Sequence, residues 1–340
     1  MTGQRIALVK LSSLGDVVHA LPVAHALRVR FPGAELSWVV ERREEAILAG
    51  NPDVDHIVAV DTRLWRREFR RPGGAPTVFF KVRGLVRRLR AGEFDVAVDV
   101  QGNLKSGLIT AMTRAPLRIG FASAHCRERG NVLFTNRHVA PPRGPLHVVE
   151  KNLVLLSVLG IARAAVGVPA FPVPNDPAAE GVVARFLEKE GVKPETRLVA
   201  LNPGAGRARK RWTVEAYRRV GETLERRLDA RPLLCWGPGE DGLARAIAAG
   251  MARAPLVPPA TSIPEMVALL RRAVLVVGGD TGPIHIAAAL GVPTVGLYGP
   301  TDARRNGPYG PRVAAVQSPT RRMEDIGAGA VLEAAERLLR

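Results

Sequence analysis

Apolar positions along the chain alternate between two rhythms. Short apolar-rich stretches at residues 5–10, 35–40, 56–60, 94–99, 198–201, 232–236 and 273–277 have the length of strands; 94–99 alternates, and 273–277 is a continuous β-branched and aliphatic run, as expected of a parallel strand covered on both faces. Between them apolar residues recur at helical spacing, first as Val17, Val18, Leu21, Ala24 and Leu27. The same spacing returns at 78–90, 147–160, 178–190, 214–228, 239–253, 264–272, 284–290 and 328–339. Pro22 interrupts the first of these stretches, which predicts a kink or a later helix start. Residues 43–49 read as a short helix, 118–121 and 132–135 as two further strands, and 101–107 as the start of another helix. Segment 62–75, dense in arginine and broken by Pro72-Gly73-Gly74, reads as a loop. The proline-rich stretch from Val168 to Pro177 reads as an extended linker. Strand–helix alternation on either side of it predicts an α/β protein. Its two Rossmann-like, doubly wound domains, residues 1–167 and 178–340, would face each other across a cleft.

A length of 340 residues exceeds what one hydrophobic core ordinarily serves, in keeping with two domains. Cys126 and Cys235 lie far apart and form no C-x-x-C pair, which argues against a disulfide framework or a cysteine zinc site and fits a reducing compartment. The sequence enters its first strand without a signal-peptide core, and no apolar run is long enough to span a bilayer, so the expected location is the cytoplasm. The net charge of +17 falls mainly on residues 1–165, which carry +11, and is densest at 63–71 and 81–90. Such clusters point to a polyanionic partner, whether nucleic acid, an anionic membrane surface or an acidic substrate, or else form a solvated arginine-rich surface. Aromatic residues make up only 5% of the chain and no RNA or DNA module is present, which argues against nucleic acid.

Candidate chemistry collects where strands end. Gly278-Gly279-Asp280-Thr281-Gly282-Pro283 follows a buried strand and opens a short apolar helix that Thr281 is placed to cap. A turn of this kind offers backbone N–H groups and the positive helix end to a phosphate, with Asp280 and His285 beside it; a well-made turn with a half-buried histidine has the same sequence. Asn202-Pro-Gly-Ala-Gly206 followed by Arg207, Arg209, Lys210 and Arg211 combines accessible backbone with positive charge, as a diphosphate site requires. Gly237-Pro-Gly-Glu-Asp-Gly242 matches G-x-G-x-x-G, but it does not follow a domain's first strand, and Pro238 stiffens the turn; Glu240 is still placed to accept ribose hydroxyls. Asp16, in Leu11-Ser-Ser-Leu-Gly-Asp16, is either a general base or the N-cap of the helix that follows. No Walker A, H-E-x-x-H or G-x-S-x-G sequence occurs, and the seven histidines show no metal-ligand spacing.

Lys10-Leu-Ser-Ser-Leu-Gly-Asp-Val-Val-His-Ala-Leu-Pro22, Asp280-Thr-Gly-Pro-Ile-His285 and Gly299-Pro-Thr-Asp302 together resemble the bacterial lipopolysaccharide heptosyltransferases of glycosyltransferase family 9. Trp38-Val-Val-Glu41, Arg63-Leu-Trp-Arg-Arg67, Asp99-Val-Gln-Gly102 with Lys105-Ser106, and Cys235-Trp-Gly237 extend the likeness over nearly the whole chain and are most similar to heptosyltransferase I. The resemblance implies a GT-B fold. It also implies inverting transfer of heptose from ADP-L-glycero-β-D-manno-heptose to the Kdo of the inner core, with no cofactor and no metal. Heptosyltransferase II or another GT-B sugar transferase is the alternative. By this resemblance Asp16 is the general base and Lys210 steadies the departing diphosphate. Ser12, Ser13, Glu240, Asp280, Thr281, Gly282 and His285 meet the donor. Lys10, Arg63, Arg66, Arg67, Lys105, His147 and Lys151 meet an anionic Kdo-lipid A acceptor, with the enzyme peripheral at the inner face of the inner membrane. Two positions differ from the heptosyltransferase I pattern: the phosphate loop reads Asn202-Pro-Gly-Ala-Gly206, and Lys151 replaces an arginine.

Overall fold

The first aliphatic run forms β1 (Arg5–Val9), the central strand of a parallel sheet, and from Ile6 onward it is buried on both faces. In the computed structural model, which describes residues 3–340, the chain divides into two compact units, one ending at Pro174 and the other beginning at Asn175.

In the first unit β1 is followed by α1 (Leu14–Val18), α2 (Leu21–Arg30), β2 (Glu35–Glu41), β3 (His56–Val60), α3 (Thr62–Phe69), α4 (Gly74–Ala91), β4 (Val96–Asp99), α5 (Leu104–Met112), β5 (Leu117–Phe121), β6 (Arg137–Val139) and α6 (Val148–Val154). Its six strands lie in the order β3-β2-β1-β4-β5-β6, all parallel. The pairing of Val9 with both Val39 and Asp99 brings the ends of three strands to one level. Loops 10–13 and 100–103 therefore emerge together at the carboxyl edge, where α/β sheets place their sites.

The break expected at Pro22 is a later helix start: there are two helices, and the proline occupies the first turn of the second, where its missing N–H costs nothing. Other expectations change. The arginine-rich loop is helical: Asp61 caps α3 by accepting from the Leu64 N–H at 3.0 Å, and Pro72-Gly73-Gly74 is only the turn into α4. Residues 129–133 form a 3₁₀ turn, and the strand expected at 132–135 lies at β6. The proline-rich stretch is held to the first unit, where the Asn51 side chain donates to the Pro172 carbonyl at 2.6 Å.

The second unit contains α7 (Pro177–Lys189), β7 (Arg197–Asn202), α8 (Val214–Leu228), β8 (Ala230–Leu234), α9 (Asp241–Ala248), α10 (Ile263–Arg271), β9 (Ala273–Gly279), α11 (Gly282–Ala289), β10 (Thr294–Tyr298), α12 (Ala303–Asn306), β11 (Val313–Gln317) and α13 (Ala328–Leu339). Its parallel sheet runs β11-β10-β9-β7-β8. β11 was not expected, because its side chains stay half exposed at the sheet edge and its sequence lacks a buried aliphatic run. The core is built from Val199, Leu201, Val277 and Leu297 of the strands, closed by Trp212, Tyr217 and Leu224 on one side of the sequence and by Val331 and Ala335 of α13 on the other. Among the described residues no helix is long and apolar enough to cross a membrane.

Candidate active site

In the second unit, three loops converge at the carboxyl edge of β7, β8 and β9. The alignment of Asn202 with Gly278 sets the first loop against the third. Gly279 allows the close approach, since a Cβ there would stand 2.9 Å from the Lys210 carbonyl oxygen. Lys210 consequently reaches Asp280, with Nζ donating to Oδ2 at 2.6 Å, while His285 Nε2 lies 3.2 Å from Oδ1. Burial alone would raise the Asp280 carboxyl, but the hydrogen bonds and charges of His285 and Lys210 outweigh it and bring it to about 2. Asp280 is thus a permanent anion, and Lys210 and His285 are held by it.

Thr281 stands at the N-cap position of α11, yet its hydroxyl does not cap the helix. It donates instead to the Gly279 carbonyl at 3.1 Å and accepts from the Asn202 amide at 3.0 Å. The expected cap is therefore absent, because the side chain is turned back to tie β7 to β9. Tyr217 fixes the other side of Asn202 through a 2.9 Å bond to its carbonyl. Glu240 accepts from the Gly237 N–H at 3.0 Å and packs where Gly204 has no side chain; a Cβ there would lie 1.8 Å from Oε2. Lys210, Asp280, Thr281, Gly282, His285 and Glu240 thus belong to one set of adjoining loops.

In the first unit, Asp16 is the third residue of α1, and its N-cap is Ser13. Asp16 Oδ2 accepts from both the N–H and the hydroxyl of Ser13, each at 3.1 Å. Loop 11–12 is positioned by Gln101, whose Oε1 accepts from the Leu11 and Ser12 N–H groups at 3.2 and 3.4 Å. Gln101 is held in turn by Asp99, a fully buried carboxylate. Asp99 also accepts from the Gly102 N–H, the Ser106 hydroxyl and the Asn131 amide at 3.0, 2.8 and 2.6 Å. Burial raises the Asp99 carboxyl despite these donors. The tether from Gln101 to loop 11–12 was not anticipated, because it links residues about 90 positions apart through an uncharged side chain.

The acceptor candidates divide into groups. Lys10 is buried, and its backbone carbonyl receives the Trp38 indole N–H at 3.1 Å. His147 caps α6, accepting from the Val149 N–H at 3.2 Å, and its ring meets His19 edge-on at 5.3 Å. Lys151 donates to the His125 carbonyl at 2.6 Å and stands over the Phe121 ring. Lys105 donates to Glu41 at 2.6 Å and to the Thr62 hydroxyl at 2.9 Å, and Thr62 donates to Glu41 as well. Glu41 therefore fastens the start of α3. Arg63, Arg66 and Arg67 lie on the exposed face of that helix, with Arg63 near enough to act on the Glu44 charge.

Glu44 carries no local signal in the sequence, although its side chain is only 5% exposed. Burial pushes it to about 7, opposed by Arg43, Arg63 and its own 2.8 Å bond to Arg43, an arginine too exposed to compensate fully. Between its ordinary 4.5 and about 7 the unfolded chain ionises while the folded chain keeps the proton, so stability falls as pH rises through that window. Glu44→Gln is expected to stabilise the protein by about 3 kcal/mol at pH 8 and to change nothing at pH 4. Denaturant unfolding at the two pH values checks this, and equal effects at both would contradict it.

A scan against family models matches residues 82–335 to glycosyltransferase family 9 (heptosyltransferase). The chain belongs to glycosyltransferase family 9. The enzyme is 30% identical to lipopolysaccharide heptosyltransferase 1 of Salmonella typhimurium over 96% of this chain and 98% of that protein. It is also 30% identical to lipopolysaccharide heptosyltransferase 3 of Escherichia coli over 85% of this chain and 80% of that protein. Among solved structures it is similar to E. coli heptosyltransferase WaaC with ADP, at a TM-score of 0.82, 27% identity and coverage of 98% of this chain and 100% of that one. The same E. coli enzyme with ADP-2-deoxy-2-fluoro heptose gives a TM-score of 0.77 at 28% identity, covering 98% and 99% of the two chains. The transferase thus has the GT-B fold, with one Rossmann-like unit for each half of the chain.

Proposed function

We propose that this transferase moves heptose from ADP-L-glycero-β-D-manno-heptose to the Kdo of the lipopolysaccharide inner core, with inversion at the anomeric carbon and without a metal. The observation that carries the donor assignment is the Lys210–Asp280–His285 cluster at the N-terminus of α11, beside the Glu240 turn. A nucleoside diphosphate leaving group needs cations and N–H donors, and Lys210 with the start of α11 supplies both. Glu240 accepts hydroxyls of the ribose. Asp280, ionised at any physiological pH, accepts a sugar hydroxyl and is too weak a base to take the reacting proton. That task falls to Asp16: as the acceptor oxygen bonds to the anomeric carbon and the bond to ADP breaks, Asp16 removes the hydroxyl proton. Ser12 and Ser13 complete its loop, and the basic residues of the first unit hold the acceptor's carboxylates and phosphates. The solved E. coli enzyme with ADP and with a fluorinated ADP-heptose supports the donor; the heptosyltransferase 1 relatives support the acceptor.

A second acceptor is favoured by three observations: 30% identity to a heptosyltransferase 3, over a smaller share of both chains than for heptosyltransferase 1, Lys151, and the Asn202-Pro-Gly-Ala-Gly206 loop. The test is release of ADP from ADP-heptose in the presence of Kdo-lipid A or of an acceptor already bearing heptose. Turnover only with the second would move the enzyme to another step of core assembly. With the preferred acceptor, chelator is expected to leave the rate within about twofold of its untreated value, since protein groups neutralise the diphosphate. Strict dependence on added Mg²⁺ or Mn²⁺ would overturn this part of the reading. We further place the working enzyme in the cytoplasm, peripheral at the inner membrane where a lipid-linked acceptor resides; cell fractionation tests that placement.

A further inference from the structure

Helices α3 and α4 form a hairpin whose turn end carries three large exposed aromatic side chains, Phe69, Phe79 and Phe80, at 63%, 63% and 65% exposure. Single exposed apolar residues are ordinary, but three phenylalanines on one small motif are not. Glu68 and Lys81, the chain neighbours of Phe69 and Phe80, are joined by an ion pair at 2.6 Å, so the rings occupy the same end of the hairpin. The inward sides are already used: Trp65, Leu85 and Leu89 pack on the core of the first unit.

The charge around these rings is one-sided. Between Thr62 and Ala91 there are ten arginines and lysines against a single acid, Glu68. Arg63, Arg66, Arg67 and Arg70 follow the i, i+3, i+4, i+7 spacing of one helix face, and all four are exposed. On α4, Phe80, Arg83, Arg87 and Arg90 recur at i, i+3, i+7 and i+10, again along one helix face, and all four are exposed. Among the described residues no ion pair joins Arg66, Arg67, Arg70, Arg71 or Arg83 to an acid.

We propose that the turn end of this hairpin docks the enzyme on an anionic bilayer, with Phe69, Phe79 and Phe80 entering the lipid interface and the arginines lying at headgroup level. The proposal rests on the reading of a lipid-linked acceptor and names the surface that meets its membrane. Amphipathic helices with aromatic rings beside a cationic face bind bilayers in this way, and each basic residue near an anionic surface strengthens binding about fivefold. Single-stranded nucleic acid is the other polyanion that aromatic rings and arginines serve. It fits less well, because Phe79 and Phe80 meet edge to face, with centroids 5.9 Å apart, and form no parallel stacking platform.

The test is co-sedimentation with vesicles of equimolar phosphatidylglycerol and phosphatidylcholine, against phosphatidylcholine alone. The wild-type enzyme should bind the anionic vesicles only, and the double variant Phe79→Ser/Phe80→Ser should bind them about tenfold more weakly or less, with an unchanged thermal midpoint. Phe80→Trp should show a larger blue shift of emission on vesicle addition than the wild type, whose own four tryptophans include Trp65 of α3. Transfer to an acceptor embedded in these vesicles should fall in the double variant, and transfer to its deacylated, water-soluble form should not. Unchanged vesicle binding by the double variant overturns the proposal, as does loss of binding to a thymidine oligonucleotide in its place. If the wild type transfers heptose to neither acceptor while vesicle binding still depends on the phenylalanines, the acceptor reading fails and the docking surface stands.

Discussion

Replacing Asp16 with asparagine is expected to lower heptose transfer about a thousandfold while leaving ADP-heptose binding unchanged, in the range seen when a general base is removed. Asparagine is chosen because its carbonyl oxygen still accepts from the Ser13 N–H, which is the contact that ties Asp16 to the start of α1. The fold and loop 11–12, the latter tethered by Gln101, should therefore survive, and only proton acceptance is lost. Single-turnover rates with saturating donor and acceptor separate the chemical step from binding, and calorimetric titration with ADP-heptose measures the donor site alone. A residual rate within tenfold of wild type would remove Asp16 from the reaction. Loss of donor affinity with an intact rate constant would make it a binding residue instead. Alanine at the same position is a poorer probe, because it removes the contact to Ser13 together with the base.

The two loops that matter most were legible in the sequence for a local reason. Leu11-Ser-Ser-Leu-Gly-Asp16 and Gly278-Gly-Asp-Thr-Gly282 each interrupt strong apolar patterning with small and polar residues, and such breaks fall at strand ends. What escaped notice depends on partners distant in sequence. Lys210 and Asp280 were each identifiable, but their pairing across 70 positions was not, and it is this pairing that joins the contact with His285, nearer in sequence, in holding Asp280 as a fixed anion. Glu41 stands in the quoted segment Trp38-Val-Val-Glu41, but its burial and the bond it receives from Lys105, 64 positions away, leave no local trace in the sequence. Segment 62–69 was read as a loop because its arginines hide the apolar signal. The helix depends on Asp61 as its cap and on Trp65 resting on the core, a single inward anchor that gives no periodicity.

Lys210→Met is expected to reduce kcat by a factor of about 100 to 1,000, the scale of removing one group that stabilises developing negative charge. As the anomeric bond to ADP breaks, charge accumulates on the diphosphate, and an ammonium counters it without needing a metal. The same lysine also bonds to Asp280, so the substitution has a second and separable consequence. Asp280 lies at about 2, below the ordinary 3.8 of an aspartate, so its pairing contributes stability that is present above the ordinary value and lost as pH falls through about 2. A displacement of about two units corresponds to about 2–3 kcal/mol, shared between His285 and Lys210. Lys210→Met should therefore lose part of that stability at pH 7 and should differ little from wild type near pH 2. Lys210→Arg provides the control: it keeps the charge and the ion pair but cannot place a compact ammonium, so it should recover the stability more fully than the rate. If both variants lost stability at pH 7 yet transferred heptose at the wild-type rate, Lys210 would be a structural partner of Asp280 and the leaving diphosphate would have to be met by another cation, with Arg207, Arg209 and Arg211 of the same loop the next to replace.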